Sequence, residues 1–313
     1  MLFVSSSALL TASTLSPGQA EEVRDLGRRA AAADGVAALS EQSLLDLASD
    51  SAHHVLLYAG EELRGYAQAD GAPADASVEL VVDPEHRREG AGSAVWTAVL
   101  ADHPDARVWA HGNLDPARGF AAAHALRAVR ELHKMSRPLT AADGDASAIA
   151  LPAGFTARAF VPGQDEQAWL ETNAAAFAEH PEQGRLGLAD LTERMGQPWF
   201  DPAGFIIVEA ADAPGRVAGF HWTKVDPEQR STLDPAAPAG EVYVVGVHPA
   251  YQGRGLAKPL TALGLAHLAR LGLPEVVLYV DGDNVGALRT YSGLGFRDIM
   301  VDVMYSRAVH SRV

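Results

Sequence analysis

The chain has 313 residues, a formal net charge of -15, 48% hydrophobic residues and no cysteine. That length is about twice the ~100–200 residues of a common domain, so two domains with ordinary apolar cores are expected. The charge argues against a nucleic-acid backbone or an anionic membrane as the main partner, although local basic clusters can still hold a small anion; the missing cysteine excludes disulfides, thiolate metal sites and a thiol nucleophile.

The opening stretch MLFVSSSALLTASTL lacks the basic start of a signal peptide, the first basic residue being Arg24, and its apolar run is diluted by serine and threonine. No stretch reaches the ~18 apolar residues of a membrane span, so a cytoplasmic protein without membrane contact is expected. Ser16-Pro17-Gly18-Gln19 offers an N-cap, a proline for the first helical turn and a glutamine for a capping box, which predicts a helix through AEEVRDLGRRAAAA. HHVLLYAG and RGYAQAD then read as paired strands, rich in β-branched and aromatic residues and bounded by turn formers. An apolar strand, a Pro-containing turn and the glycine-bearing loop of LVVDPEHRREGAGSAV follow, leading into a helix. ARVWAHG, a short helix and a final strand close this half. Pro138 to Gly154 is small, polar and turn-rich, as a linker is.

The same order then returns. FTARAF is a strand, Pro162-Gly163-Gln164 a turn, and DEQAWLETNAAAF a helix; FIIVEA and RVAGFHWTKV pair as strands. EVYVVGV carries too few polar residues for a half-exposed strand and is placed centrally in a sheet. AYQGRGLAK leads into a helix from about Leu256, and EVVLYVDG, a short helix and a last strand finish the chain. The economical reading is an α/β (α+β) protein of two tandem copies, 1–140 and 155–313 around a linker at 141–154. Each copy is a mixed, mostly antiparallel sheet flanked by helices.

Glycines at Gly253 and Gly255 permit backbone conformations that turn successive N–H groups inward, and the helix that follows adds unpaired N–H groups and its positive dipole end. A pyrophosphate fits such a cradle, with Arg254 and Lys258 available for charge-assisted contacts. A glycine-rich turn that opens a surface helix reads the same way in a single copy. The loop lacks the Gly-Lys-Ser/Thr ending of a Walker loop and is not the Gly-x-Gly-x-x-Gly dinucleotide fingerprint. Its appearance twice after matching strands favours phosphate binding.

Arg/Gln-x-x-Gly-x-Gly/Ala after an apolar strand resembles the acyl-coenzyme A signature of the GNAT superfamily of N-acetyltransferases. Gln252, Gly255 and Ala257 carry it in the second half, Arg87, Gly90 and Gly92 in the first, and DNVGALRTYSGLGF resembles the late element of the superfamily through Asn284, Ala287, Tyr291, Gly295 and Phe296. The resemblance implies two GNAT-like domains, acetyl-CoA as co-substrate and no metal. It maps cofactor contacts onto Val245, Gly246, Val247, Gln252, Gly253, Arg254, Gly255, Leu256, Ala257, Lys258, Asn284, Val285, Gly286, Ala287, Leu288 and Arg289. In the first half it maps them onto Leu80, Val81, Val82, Arg88, Glu89, Gly90, Ala91, Gly92 and Ser93. Glu89 repels a pyrophosphate if it points inward.

Direct aminolysis of a thioester asks for a base and an acid, each worth ~10²–10⁴-fold. Aligning the loops on Pro84 and Pro249 sets Glu241 against Ala76, so only the second half offers a carboxylate at the head of the motif strand. Tyr291 shares a helix face with Asn284, seven residues before it, and suits protonation of a thiolate; AAAHALRA in the first half offers no tyrosine. The second half is therefore read as the catalyst and the first as a degenerate copy. AHGNLDPAR, AAFAEHPEQG, GFHWTKV and GEVYVVGVHP resemble one tandem-domain branch of the superfamily. What that implies is acetylation of the free cysteinyl amine of a glucosaminyl-inositol, with Glu41, Glu182, Lys224, Glu241 and Tyr279 as substrate contacts, in a monomer. Acetylation of another small amine, or acyl-CoA sensing without turnover, are the competing readings.

Overall fold

The computed structural model describes residues 7–50, 52–73, 75–178, 183–213 and 215–307. The first half of the chain runs β1 (Ser7–Ala12), α1 (Pro17–Asp34), α2 (Glu41–Asp46), β2 (Ala52–Ala59), β3 (Glu62–Asp70), β4 (Ser77–Val82), α3 (Ala91–Asp102), β5 (Arg107–Ala110), α4 (Asp115–Ala123) and β6 (Leu126–Pro138). The second runs β7 (Phe155–Ala159), α5 (Glu166–Ala176), α6 (Leu188–Met195), β8 (Phe205–Ala210), β9 (Val217–Lys224), β10 (Gly240–Val247), α7 (Ala257–Arg270), β11 (Glu275–Asp281), α8 (Val285–Gly293) and β12 (Arg297–Arg307). No described helix is long and apolar enough to cross a membrane.

Two compact units result. The first comprises Met1–His133, Asp281–Asp283 and Met300–Val313, the second Lys134–Val280 and Asn284–Ile299. The strand order is β1-β2-β3-β4-β5 followed by the Met300–Arg307 part of β12 in the first, and the Lys134–Pro138 part of β6 followed by β11-β10-β9-β8-β7 in the second. One parallel pair, β4–β5 or β10–β11, sits in each sheet among antiparallel neighbours. The expectation that each half closes with its own last strand is corrected: β12 lies antiparallel to β5, and β6 lies beside β11. The two halves are copies, so the slot beside each parallel pair accepts the closing strand of either. β1, which the polar dilution of its sequence concealed, pairs antiparallel with β2 from Ser7 opposite Ala59 to Ala12 opposite His54.

Helix α1 forms as its sequence dictates. Ser16 caps the first turn and completes the capping box with Gln19, and Gly35 ends the helix in the left-handed conformation. Ala20, Val23, Leu26 and Ala30, spaced for one face, bury against Leu56, Tyr66 and Val81 of the sheet. Val95, Trp96 and Val99 of α3 cover the opposite face, against Val55, Ala67, Val78 and Val108. The second unit has an aromatic core under α5: the Trp169 ring meets Phe205, Phe220 and Trp222 edge-on at 5.4–5.8 Å. Leu260, Leu265 and Leu268 of α7 pack on the other side.

In the first unit β12 is fastened by buried charge. Asp302 accepts from Gly112 N–H at 2.6 Å and lies 3.1 Å from His111 Nδ1, whose Nε2 is 3.3 Å from Glu79. Glu79 also accepts from the Ser40 backbone N–H at 2.7 Å. Burial works against a charged ring, but the hydrogen bonds and charges of the two carboxylates outweigh it and push the His111 imidazolium up to about 10. Because the folded value exceeds the ~6.5 of a free histidine, this stabilisation is fully present below pH ~6.5 and is lost as pH rises through about 10. Replacing His111 with alanine leaves two buried carboxylates without a cation. Urea titration at pH 6.5 is expected to show a loss of about 3–5 kcal/mol, and the deficit should shrink as the comparison is repeated toward pH 10.

Candidate functional site

Strand β10 is paired unequally on its two sides. Against β9 its register runs from Glu241 opposite Lys224 to Val247 opposite Gly219. Against β11 it runs only from Gly240 to Val242, opposite Val276 to Leu278. Beyond Val242 the parallel strands part, and the β11-facing backbone of Val245 to Val247 has no ladder partner, a cost that a bound ligand can offset. A β-bulge between Val242 and Val244 falls at the same place; such bulges add local twist and re-aim side chains.

The loop after β10 is shaped by its own residues. Gln252 Nε2 donates to the Val247 carbonyl at 3.1 Å, so the first residue of the motif ties the loop to the strand end. Gly253 and Gly255 take φ of 75° and 78°, the left-handed region that alternates N–H directions into a nest. Leu256 is buried as a plug, while Gln252 to Gly255, Ala257 and Lys258 are exposed. Among the described residues no side chain caps α7, which leaves its first-turn N–H groups without a side-chain cap. Exposed amides beside parted strands suit the diphosphate and the amide-bearing arm of a coenzyme A thioester. The Arg254 guanidinium lies 5.1 Å over the Tyr251 ring.

Helix α7 is seated through His221. Its Nδ1 lies 3.1 Å from the Leu260 carbonyl, and burial lowers its pKa to about 4, so the ring stays neutral and donates there. The ring fills the space that a Cβ at Gly264 would occupy.

The first unit repeats the arrangement. The β4–β5 register covers only Ser77 and Val78, leaving Leu80 to Val82 open. Arg87 replaces Gln252 and makes the same return contact, to the Val82 carbonyl at 3.3 Å, while pairing with Asp34 through two bonds of 2.7 Å. Arg88 adopts φ 68° where the second unit has Gly253, and Gly90 adopts 91°. A cavity of about 440 Å³ opens here, lined among others by Val82, Arg88, Gly92, Ser93, Phe120 and His124. Ala91 belongs to the same lining. Glu89 does not; its carboxylate turns to His86 at 3.5 Å and Arg64 at 3.8 Å, which removes the repulsion raised above.

The remaining candidates sort by unit. Glu241 (8% exposed) and Tyr291 (8% exposed) both lie in the second. The Tyr291 ring packs edge-on to Phe296 at 5.8 Å within the α7–α8 core, and burial pushes its hydroxyl pKa up to about 12. The parallel registers set Arg107 against Leu278, which aligns Asn113 with Asn284 and Phe120 with Tyr291: the first unit keeps the ring and lacks the hydroxyl. Asn284 caps α8 by accepting from Ala287 N–H at 3.0 Å, and Val285, Gly286, Leu288 and Arg289 follow in its first turns. Tyr279 is exposed on β11 under the Lys134 ammonium, 5.3 Å from its ring centre. Glu41 opens α2 in the first unit. Glu182 lies outside the described residues.

Sequence reasoning missed the surroundings of Lys224. Its ammonium sits 4.8 Å over Trp199 and 5.4 Å over Tyr243, with Asp226 at 3.5 Å. The only sequence signal was the aromatic pair Trp199-Phe200 after α6, and nothing in its spacing points to β9. Among the described residues no cluster of histidine and carboxylate side chains is arranged to hold a metal ion.

Residues 167–296 match the model of the Acetyltransferase (GNAT) family. The chain is 49% identical to a mycothiol acetyltransferase of Streptomyces avermitilis over 94% of each chain. It is 48% identical to one of Thermomonospora curvata, over 95% of this chain and 97% of that one. A tandem GNAT protein from the clavulanic acid biosynthesis pathway shares the fold with a TM-score of 0.69 at 21% identity, over 96% of this chain and 98% of that one. A GCN5-related N-acetyltransferase from Sphaerobacter thermophilus does so with 0.66 at 23%, over 95% of each.

The seat of α7 is testable by complementation. Gly264→Ala is expected to lower stability by about 1–3 kcal/mol through overpacking on His221, and adding His221→Ala should recover part of that loss in urea unfolding. Equal, additive losses in the two single variants and the double variant would show that the ring and the glycine do not share the space.

Proposed function

This chain belongs to the mycothiol acetyltransferases, within the GNAT family, and on that footing we propose that its second unit carries out the acetyl transfer that completes mycothiol. The donor is acetyl-CoA. The acceptor is the free cysteinyl amine of 1-D-myo-inositol 2-(L-cysteinylamino)-2-deoxy-α-D-glucopyranoside, and the products are mycothiol and CoA. The observation that carries the reading is the parting of β10 from β11 after Val242, one residue beyond Glu241, on the strand that leads into the nest at Gly253 to Leu256.

Each residue then has a chemical task. The nest and the uncapped first turn of α7 bind the diphosphate, with Arg254 and Lys258 adding charge; the open edge at Val245 to Val247 hydrogen-bonds the arm. Glu241 takes a proton from the acceptor ammonium, directly or through water. The freed amine attacks the thioester carbonyl, and an edge N–H stabilises the charge that develops on its oxygen. As the C–N bond forms and the C–S bond breaks, Tyr291 gives its proton to the departing thiolate. Burial keeps that hydroxyl protonated through neutral pH, since its pKa is raised to about 12. Lys224, Tyr279 and the carboxylate of Glu182 are assigned to the hydroxyls and carbonyl of the acceptor. The first unit is assigned a CoA thioester without turnover, because Ala76 and Phe120 stand where the proton carriers stand in the second.

Glu241→Gln is expected to lower kcat by ~10²–10⁴-fold while the Kd for acetyl-CoA, measured by calorimetry, holds. Tyr291→Phe should slow turnover by ~10²-fold or more. Because the folded Tyr291 pKa is about 12, wild-type kcat should show no falling limb from this group between pH 7 and 10; a fully active Glu241→Gln enzyme removes the base assignment. Equilibrium dialysis should find two molecules of acetyl-CoA per chain, and a plateau at one refutes the assignment of the first cavity.

A further inference from the structure

Lys224 is 5% exposed, yet it ends a central strand directly across from Glu241. Cross-strand partners share a face, so the ammonium and the proposed base start from neighbouring Cβ positions on one side of the sheet. Burying such a cation is unfavourable unless something holds it. Here two π-faces do, Trp199 at 4.8 Å and Tyr243 at 5.4 Å, with Asp226 on a third side at 3.5 Å. The cage is itself fixed: Trp199 meets Tyr243 at 5.1 Å and Trp222 at 5.8 Å, and Arg194 Nε, on α6, donates to the Tyr243 hydroxyl at 3.0 Å.

Tyr243 is also the residue at which the register slips by one, between Val242 and Val244. In the first unit the β3–β4 register is unbroken, and the aligned position is Val78. Cage, bulge and proton carriers therefore occur together in one unit and are missing together from the other. A lysine needed only to fill space could be exchanged for methionine without aromatic partners. From this we infer that Trp199 and Tyr243 are positioning residues that pin the Lys224 ammonium beside Glu241, so that an acceptor oxygen bound by Lys224 brings its amine to the base. The inference rests on the proposed role of Lys224 as an acceptor contact. Aromatic faces suit this work because they hold a cation by its charge without the full hydrogen-bonding demand of a buried carboxylate.

The test is a double-mutant cycle on the full chain, using whichever amine the wild-type enzyme acetylates fastest, with KM for the amine and for acetyl-CoA read separately. Trp199→Leu is expected to raise the amine KM about tenfold, the scale of a desolvated cation–aromatic contact, with the acetyl-CoA KM within about twofold. Trp199→Phe, which keeps a π-face, should recover most of the loss. In a Lys224→Met background Trp199→Leu should add less than about twofold, because the two residues act as one unit. If Trp199→Leu does not fold, Tyr243→Leu replaces it in the same cycle. Full additivity of the two substitutions, or equal rises in both KM values, overturns the inference. A wild-type preference for an amine other than the cysteinyl pseudodisaccharide overturns the proposed acceptor, while the cycle on the preferred amine still decides the cage.

Discussion

A parallel strand pair that stops after a few residues governs the site in each unit. β9 holds β10 as far as Val247, so when β11 leaves after Leu278 the central strand cannot follow it. The result is an open ladder edge in the interior of a sheet, where backbone groups otherwise find partners almost without exception. An extended, amide-bearing ligand can complete that ladder as a short strand. The bulge at Tyr243 sits where pairing ends, and its added twist accompanies the divergence rather than interrupting a regular sheet elsewhere.

The two units hold this backbone shape more closely than they hold its residues. Gln252 and Arg87 differ in charge and size, yet both reach back to the last carbonyl of the preceding strand. Arg88 takes a left-handed φ that costs ~1–2 kcal/mol for a residue with a Cβ, where the second unit uses glycine. A strained arginine retained at that position means that the nest itself, not the residue filling it, is what the packing around β4 and α3 specifies. Seating a helix on a parted pair demands this turn whatever side chain occupies it.

Much of this was legible because it rests on local rules. Capping at Ser16, the two glycine-bearing loops and the apolar central strands are each set by residues within one or two turns of themselves. β1 escaped notice because an edge strand needs few apolar residues when both faces are exposed, and Ser7 to Ala12 is exposed along nearly its whole length. The destination of β6 and β12 was not legible either: two copies present two equivalent slots, and alternation of side chains cannot say which slot a strand enters. Glu89 could be placed in the loop but not aimed, since its direction depends on His86 and Arg64. The cage around Lys224 joins α6, β9 and β10, and no periodicity in the chain links those segments.

The distribution of buried charge separates the units more sharply than their sequences do. In the first, the carboxylates near the open edge are committed to fixed partners: Glu79 to His111 and the Ser40 N–H, Asp302 to His111 and the Gly112 N–H, Asp83 to Arg29. Burial raises the Glu79 pKa but the imidazolium lowers it further, so it is held below the ordinary carboxylate range; a carboxylate so stabilised in its charged form is a poor base. The second unit instead buries a lysine across from Glu241, held between the faces of Trp199 and Tyr243 with Asp226 at 3.5 Å. The same backbone shape thus carries two arrangements of buried charge: carboxylates around an imidazolium in the first unit, and an ammonium between two π-faces and a carboxylate in the second.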